Sequence, residues 1–489
     1  MSRHFSQLRK ANFIPMIRSG FWYTASAFAE KGLAFISVPI FTRLLNLGDY
    51  GTVSFFQPLV GILAILSGLN LDASIGIAKQ EKKDVFHVYV SSLFLFSLIW
   101  FIAEILLLSL WKTRVERTFG ISISLAFCAL LSGYGSFIFN SYSTYLMFEN
   151  RYRLRSVLSF LRAAAEILVS VVLLLTILKG SFWGRVIGSL SLNLIFGLGI
   201  LWAFWRKYTP RLSGEYWRYG SLIGAPLIPH CLSHLILSYF DRIAIKALVG
   251  NVATGLYGFA YNIGMIPLLL LSSTNSAWVP WFYDAFAQEK NEEIRVNIRR
   301  YNAAFFLFIL LLLTVSPEIA RLLAPPEYMG AIKVIPIIIF SYYLQFIYTC
   351  YVNFSFFYKK TGLISTGTII AGVINMVLNY KMIPVFGYEI AAWTTVFSYA
   401  CLLFFHWFNV SVLIKAKGIR AMDFSLTVLL GLSLSCALYW GSPLMGFFSQ
   451  RELVFRYTLF LAMLGFMAIL HRKEIRKILD RWNGADRHV

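Results

Sequence analysis

Long runs of apolar residues, separated by short polar stretches, recur along the 489-residue chain. An α-helix rises 1.5 Å per residue, so about 20 apolar residues cross the roughly 30 Å hydrocarbon core of a bilayer. The pattern therefore predicts an all-α polytopic membrane protein with about 14 transmembrane helices. We expect these spans at residues 17–42, 50–70, 87–111, 121–147, 154–178, 182–204, 217–240, 252–276, 301–317, 330–357, 361–380, 387–414, 424–441 and 453–471.

The composition excludes an ordinary soluble enzyme. Hydrophobic residues make up 58% of the chain and charged residues only 14%, and the mean hydropathy is +0.67. No phosphate-cradling glycine loop with its lysine accompanies the spans, so we expect no nucleotide-driven transport. The five cysteines lie singly inside predicted spans, which is typical of small core residues rather than of disulfides or metal sites. We therefore expect no cofactor and no metal ion.

The positive charge follows the predicted topology. The chain ends and six alternate loops hold 28 basic residues, against about 11 in the other loops, and basic residues favour the cytoplasmic side of a membrane. The sequence thus predicts that both termini are cytoplasmic, with Lys112, Arg114 and Arg117 as exceptions. Topology and anionic lipids account for the formal net charge of +21. We expect contacts with membrane lipids and none with nucleic acid.

The first span, within residues 16–45, carries two charged residues in its middle, Glu30 and Lys31. A charged side chain at this depth costs about 2.5 to 3.5 kcal/mol on insertion scales, so it usually faces a polar cavity or a partner charge. Glu30 points about 100° away from Lys31 around the helix, because adjacent helical residues do not share a face. Lys31 shares a stripe of small or polar residues with Gly20, Thr24 and Ala27. This stripe favours a position beside a lumen for Lys31.

The fifth span carries a polar stripe at helical spacing. Its members are Arg155, Ser159, Arg162, Glu166 and Ser170. Arg162 and Glu166 are four residues apart, so they are able to pair within the helix. A self-neutralised packing contact and a site in a lumen both remain open for this stripe.

Two further spans carry polar stripes. The stripe of the seventh span consists of Pro226, His230, His234, Ser238 and Asp241, with Arg242 beside it. Histidine and aspartate favour a protonation site, with hydrogen-bonded helix packing as the alternative. The stripe of the eleventh span consists of Ser365, Thr368, Gly372, Asn375 and Asn379. Interhelical hydrogen bonding and sugar binding both remain open for these neutral residues.

A weak internal repeat divides the chain. A shift of 209 positions pairs Ser156 with Ser365, Ser159 with Thr368, Glu166 with Asn375 and Ser170 with Asn379. A shift of 207 positions pairs Tyr50-Gly51 with Tyr257-Gly258. Two separate places with nearly equal shifts predict two six-helix lobes, related by a pseudo-axis along the membrane normal. We expect lobes at residues 1–210 and 211–415, and accessory transmembrane helices 13 and 14 with a basic cytoplasmic tail at 416–489.

Several short motifs, in order, resemble those of a known family. They are Lys31-Gly32-Leu33-Ala34-Phe35, Pro39, Arg43-Leu44-Leu45, Asp49-Tyr50-Gly51, Leu71-Asp72, Asp241-Arg242, Gly255-Leu256-Tyr257, Ala277-Trp278-Val279-Pro280, Glu327-Tyr328, Lys359-Lys360-Thr361, Asn375 to Asn379, and Gly387 with Ala391-Ala392. In this order they resemble the Wzx-type flippases that translocate O-antigen and capsule repeat units. These proteins belong to the multidrug/oligosaccharidyl-lipid/polysaccharide exporter superfamily.

The resemblance implies two six-helix lobes around a central cavity. It implies a substrate of one oligosaccharide repeat unit on undecaprenyl pyrophosphate. This substrate would move from the inner to the outer face of the bacterial inner membrane, and we expect alternating access of the cavity. A polysaccharide polymerase and a chain-length regulator are candidate partners. A flippase forms no bond, so no catalytic residue is expected.

The polar residues of the spans are the candidate site residues. The candidates for substrate binding are Lys31, Arg43, Arg162, Arg242, Asn375 and Asn379. The cationic members suit a pyrophosphate headgroup. Coupling to a gradient of H⁺ or Na⁺ needs residues that change charge or bind a cation. The candidates for this role are Glu30, Glu166, His230, His234 and Asp241.

Two other functions remain as alternatives. A multidrug or metabolite exporter of the same superfamily would take a different cargo, and an amphipathic cation prefers acidic and aromatic lining to basic lining. A membrane glycan polymerase or ligase would form a bond. Such enzymes usually keep catalytic carboxylates in a long external loop, and this sequence has no such loop.

Overall fold

The computed structural model describes residues 22, 25–26 and 28–470, apart from the side chains of residues 118, 119 and 470. Every regular element in these ranges is helical. The helices are α1 (28–44), α2 (Leu47–Gly68), α3 (Ile75–Glu81), α4 (Phe86–Leu110), α5 (Lys112–Phe119), α6 (Ile123–Phe148), α7 (Tyr152–Leu175), α8 (Phe182–Lys207), α9 (Gly214–Gly224), α10 (Ile228–Leu248), α11 (Asn251–Gly264), α12 (Ile266–Ala287), α13 (Asn291–Leu323), α14 (Ile335–Phe357), α15 (Thr361–Phe386), α16 (Ile390–Phe408), α17 (Met422–Met445) and α18 (Gln450–Leu470).

The predicted fold class is confirmed. Within the described residues, thirteen helical segments are long and apolar enough to cross a membrane, and they coincide one by one with the second to fourteenth predicted spans. The first predicted span begins outside the described residues, and its described part forms α1. Two spans consist of two helices each, α9 with α10 and α11 with α12. The second helix of each pair has a proline in its first turn, where the missing backbone N–H is tolerated.

Contacts divide the described chain into two compact units. The first unit consists of the residues up to Asn262 with Leu323–Glu327 and Ser365–Ser398, and the second consists of Ile263–Leu322, Tyr328–Ile364 and the residues from Tyr399 onward. The predicted lobes at 1–210 and 211–415 come from the internal repeat, which is a different criterion. Their boundaries stay a prediction.

In the first unit, helices approach closely where side chains are absent. A Cβ atom on Gly197 of α8 would lie 3.0 Å from the Cα atom of Gly135 on α6. A Cβ atom on Gly133 would lie 3.0 Å from the backbone nitrogen of Ala64 on α2. Membrane helices gain dispersion energy by such close backbone contact, since apolar side chains alone gain little over lipid. The sequence positions of these glycines thus help to determine which helices pair.

The two Tyr-Gly motifs of the predicted repeat lie on α2 and α11, which approach each other closely in the first unit. A Cβ atom on Gly51 of α2 would overlap the carbonyl oxygen of Asn251 and lie 2.8 Å from the backbone nitrogen of Gly255 on α11. Tyr50 accepts a hydrogen bond of 2.8 Å from the side chain of Asn262. The motif positions are therefore contact positions between α2 and α11.

We expect Gly51→Ala to destabilise the folded protein by about 1 to 3 kcal/mol, because overpacking against a backbone cannot be relieved by a rotamer change. The measurement is the thermal unfolding midpoint of the purified protein in detergent. The matched control is Gly199→Ala on α8, since no atom lies within 4 Å of a Cβ at that glycine. Equal midpoints for the two variants would contradict the close approach of α2 and α11.

In the second unit, polar side-chain contacts attach α17 to α13. The carboxylate of Asp423 at the start of α17 is fully buried and lies 2.6 Å from Arg299 Nε and 3.4 Å from Arg295 Nε. One turn onward, Asn302 donates a hydrogen bond of 3.0 Å to the Thr427 hydroxyl. The sequence predicts that the thirteenth and fourteenth spans, which are α17 and α18, are accessory. Through these contacts α17 is a packed part of the second unit.

Candidate functional site

A polar cavity of about 320 Å³ lies between α1, α6 and α7 of the first unit. Its charged lining residues are Glu30 of α1 and Arg155, Arg162 and Glu166 of α7. Its remaining lining residues are Ser26, Phe139, Asn140, Ser143, Ser159 and Ala163. The cavity thus brings the charges of the first span and those of the fifth span together.

The spacing of the polar residues along α7 explains why they line the cavity together. Arg155, Ser159, Arg162 and Glu166 follow one another at three or four residues, so they lie on one face of the helix. Arg162 is ten residues beyond Tyr152, the start of α7. At 1.5 Å per residue it lies about 15 Å along the helix, near the middle of a roughly 30 Å hydrocarbon core.

Glu166 pairs with a residue outside the predicted stripe. Its carboxylate lies 3.1 Å from the guanidinium of Arg185 on α8, and both side chains are largely buried. Arg185 also donates a hydrogen bond of 3.1 Å to the Ser170 hydroxyl. The Glu166 carboxylate therefore has a cationic partner on another helix, which differs from the pairing within α7 that the sequence left open.

Arg162 presents positive charge to the cavity. One of its terminal nitrogens, Nη1, is buried and has no hydrogen-bond partner. Its guanidinium carbon lies 4.2 Å from the centroid of the Phe139 ring, a cation–π contact that holds the side chain in place. Arg155 donates a hydrogen bond of 2.7 Å from Nε to the Ser143 hydroxyl. Since Arg185 neutralises Glu166, the two arginines outnumber the remaining carboxylate of Glu30.

Lys31 and Arg43 lie outside the lining of this cavity. Lys31 is an exposed residue of α1, whereas its neighbour Glu30 lines the cavity. Arg43 is exposed near the end of α1 and donates hydrogen bonds to the carbonyl oxygens of Pro39, at 2.9 Å, and Leu323, at 3.4 Å. Their roles in substrate binding stay predictions.

The predicted residues at the end of α10 form a separate buried cluster. Asp241 is 1% exposed and accepts a hydrogen bond of 2.6 Å from the hydroxyl of Tyr257 on α11. The guanidinium carbon of Arg242 lies 4.2 Å from the Tyr261 ring centroid, and its Nε and Nη2 have no hydrogen-bond partner. Asp241 thus takes part in hydrogen-bonded helix packing, while Arg242 keeps unsatisfied donors.

The two histidines of α10 lie apart from both clusters. The Nδ1 atom of His230 is buried without a hydrogen-bond partner, and His234 is exposed. Within the part of the chain that the structure describes, no three His, Cys, Asp or Glu residues are placed to hold a metal ion. Ion coupling through either histidine, or through Glu30, Glu166 or Asp241, stays a prediction.

The asparagines of α15 are used in helix packing. Asn375 is 1% exposed and donates a hydrogen bond of 3.4 Å to Thr395. Asn379 donates a hydrogen bond of 3.0 Å to Asn375 and accepts one of 2.5 Å from Thr394 on α16. The bonds link α15 to α16, and neither residue lines the polar cavity. Their predicted role in substrate binding stays untested.

A family model described as polysaccharide biosynthesis protein matches residues 16–286, more than half of the chain. The chain belongs to the polysaccharide biosynthesis protein family. It is also 23% identical over 369 residues to protein 1 of the Lsg locus of Haemophilus influenzae, an alignment that covers 72% of this chain and 87% of that relative.

Solved structures share the fold of this polysaccharide biosynthesis protein. The lipid II flippase MurJ, in an inward closed conformation, superposes with a TM-score of 0.71 at 16% identity, over 93% of this chain and 99% of that chain. A multidrug resistance MATE transporter of the MOP superfamily, in an inward-facing conformation, superposes with a TM-score of 0.61 at 15% identity, over 84% and 96% of the two chains. The family match confirms the predicted resemblance to the polysaccharide biosynthesis family, and the solved structures confirm the predicted fold class.

The family match includes all the residues that line the polar cavity. Sequence reasoning identified Arg162, Glu166 and Glu30 but missed the contribution of Arg185. Arg185 carries a charge inside the sixth predicted span, and a charge in a span signals a partner or a cavity. Phe139, Asn140 and Ser143 gave no such signal, because single polar or aromatic residues are common in membrane helices.

Proposed function

We propose that this membrane flippase of the polysaccharide biosynthesis family translocates oligosaccharide repeat units linked to undecaprenyl pyrophosphate. The cargo moves from the cytoplasmic to the outer leaflet of the bacterial inner membrane by alternating access. The family description supports a saccharide cargo. Energy comes from a gradient of H⁺ or Na⁺, with Glu30 as the candidate coupling residue that lies beside the cavity arginines.

The observation that carries the proposal is the buried Nη1 nitrogen of Arg162, which has no hydrogen-bond partner. A buried guanidinium nitrogen without a partner costs free energy unless a ligand or water completes it. A pyrophosphate supplies several charged oxygen acceptors, and charge-assisted bonds from arginine are about twice as strong as neutral ones. Neutral hydroxyl and amide groups from Ser143, Ser159 and Asn140 line the same cavity, and such groups suit sugar hydroxyls.

The same lining argues against a multidrug exporter of cations. A cationic drug would meet two arginines, and repulsion between like charges disfavours its binding. Transport also requires no bond formation, so the proposal assigns no catalytic role to any residue. A polysaccharide polymerase and a chain-length regulator remain proposed partners, since they would act on the translocated unit.

Deletion of the gene tests this function. We expect single repeat units on undecaprenyl pyrophosphate to accumulate in the cytoplasmic leaflet, because translocation precedes every later step. Mass spectrometry of extracted lipids identifies the cargo, and a membrane-impermeant reagent that modifies sugars from outside intact spheroplasts assigns the leaflet. The control is the same strain with the full chain restored. Accumulation in the outer leaflet would indicate a polymerase or ligase instead, and unchanged lipids would overturn the proposal.

A further inference from the structure

A second cavity, of about 420 Å³, lies between α6, α7 and α8 of the first unit. Its lining is apolar in one part and basic in the other. Leu158, Ile195 and Gly199 line one part, and Arg151 and Lys207 line the other. Ile195 and Lys207 are twelve residues apart on α8, so the cavity extends about 18 Å along the helix. We call it the α7–α8 groove.

The basic part of the groove lies where the sequence predicts the cytoplasmic membrane surface. Arg151 precedes α7, and Lys207 is the last residue of α8. Both are exposed, and neither makes an ion pair with any residue in the described part of the chain. Two cations that lack carboxylate partners at one end of a groove favour an anionic group.

The wall behind the two cations is held in place by ring contacts. Tyr145 and Phe204 meet edge to face at 5.1 Å, and Phe204 lies 5.1 Å from Tyr208. His87 Nδ1 lies 3.0 Å from the Tyr145 hydroxyl, and the His87 ring stacks on Tyr208 at 4.6 Å. Because these rings support one another, the groove exists before any ligand binds, which lowers the entropy cost of binding.

The apolar part of the groove is open to the bilayer. Ile195 is 64% exposed, and no atom lies within 4 Å of a Cβ atom at Gly199. An acyl chain that lies here would contact both α7 and α8. A cationic end at the predicted membrane surface and an apolar part within the bilayer match the two parts of an anionic phospholipid.

We propose that the α7–α8 groove binds one anionic phospholipid of the cytoplasmic leaflet. Its phosphate lies between Arg151 and Lys207, and one acyl chain lies along Ile195 and Gly199. A zwitterionic phospholipid brings its own cation to the same place, so it binds less tightly. The proposal concerns a resident lipid and is independent of the transported cargo.

Native mass spectrometry of the full chain in detergent tests the phosphate position, with phosphatidylglycerol and phosphatidylcholine added at equal concentration. We expect the unmodified protein to retain phosphatidylglycerol preferentially. Each basic residue near an anionic lipid surface contributes measurably to binding, so Arg151→Gln with Lys207→Gln lowers this retention about tenfold or more. The matched control, Arg153→Gln with Arg206→Gln, removes the same charge from exposed neighbours outside the groove and retains the lipid.

A second variant tests the acyl-chain position. No atom lies within 4 Å of a Cβ atom at Gly199, so we expect the side chain of Gly199→Leu to occupy the groove. We expect it to lower retention of phosphatidylglycerol at least severalfold, whereas Gly465→Leu, at an exposed and equally open glycine of α18, leaves retention unchanged. Glycerol phosphate at the same concentration should not be retained, because it lacks acyl chains.

Three results would overturn the proposal. One is equal retention of the two lipids by the unmodified protein. Another is retention of phosphatidylglycerol at the level of the controls by both groove variants, Arg151→Gln with Lys207→Gln and Gly199→Leu. The last is retention of glycerol phosphate as strong as that of the lipid. That result would show that the groove binds a free phosphate and not a phospholipid.

Discussion

Replacing Arg162 with glutamine is expected to abolish most of the surface-glycan export while the protein remains folded and inserted. The variant removes the cation that faces the cavity but keeps a polar side chain of similar length. Hydrogen bonds to charged groups contribute about 1.5 to 3 kcal/mol each, so loss of one or two should weaken binding of a pyrophosphate at least about tenfold. Arg162→Lys keeps a point charge without the planar fork, and we expect partial export.

The measurement for Arg162 is export in a deletion strain that carries each variant. Surface glycan and lipid-linked repeat units in the cytoplasmic leaflet are quantified together. Because Nη1 of Arg162 has no hydrogen-bond partner, the substitution breaks no hydrogen bond at that atom, and we expect only a small change in the thermal midpoint. The matched control is Arg153→Gln, an exposed arginine of the same helix outside the cavity lining. Normal export by well-expressed Arg162→Gln would show that the cargo does not pass this residue.

Arg456→Met is expected to destabilise the second unit by about 3 to 5 kcal/mol, the usual cost of breaking a buried ion pair from one side. The Arg456 side chain is fully buried, and its Nε lies 2.6 Å from the fully buried carboxylate of Glu452 on the same helix. It also binds Glu318 of α13 through two nitrogens, at 2.6 and 2.8 Å, and donates to the Thr314 carbonyl oxygen. Without the guanidinium, Glu452 is left buried and unpaired.

Thermal unfolding in detergent measures this destabilisation, and two further variants show its cause. Glu452→Gln added to Arg456→Met removes the unpaired carboxylate, so it should recover part of the lost stability. Arg451→Gln, at an exposed arginine of α18, should leave the midpoint unchanged. If the double variant is no more stable than Arg456→Met alone, the ion pair with Glu452 does not explain the loss.

The positions of the membrane spans are predictable from the sequence because the surrounding solvent is hydrocarbon. In hydrocarbon each backbone polar group must be bonded within its own helix, so an apolar run of sufficient length forms a spanning helix whatever its neighbours do. This is why the predicted spans from 50–70 to 453–471 match the helices closely. The stripe of Arg155, Ser159, Arg162 and Glu166 was also predictable, since the helical period alone puts these residues on one face.

The partners of the charged residues depend on tertiary packing. The sequence placed Glu30 and Lys31 on different faces of α1, but which face lines the cavity depends on the rotation of α1 against α6 and α7. That rotation results from contacts between residues more than a hundred positions apart. The sequence predicted that Lys31 lies beside a lumen. The residue of this pair that lines the cavity is instead Glu30, one position earlier and about 100° around the helix.

By itself, the sequence determined that this protein is a helical membrane protein, where the thirteen spans found in the described residues lie, and which polar residues share a helix face. These properties depend on hydrophobic length and helical period, which are local. Only the tertiary structure decided that Glu166 pairs with Arg185 of α8, that Arg162 faces a cavity with an unsatisfied nitrogen, and that Asp423 and Arg456 bind α13. Such pairings depend on how separate helices approach and rotate, and no local pattern encodes that geometry.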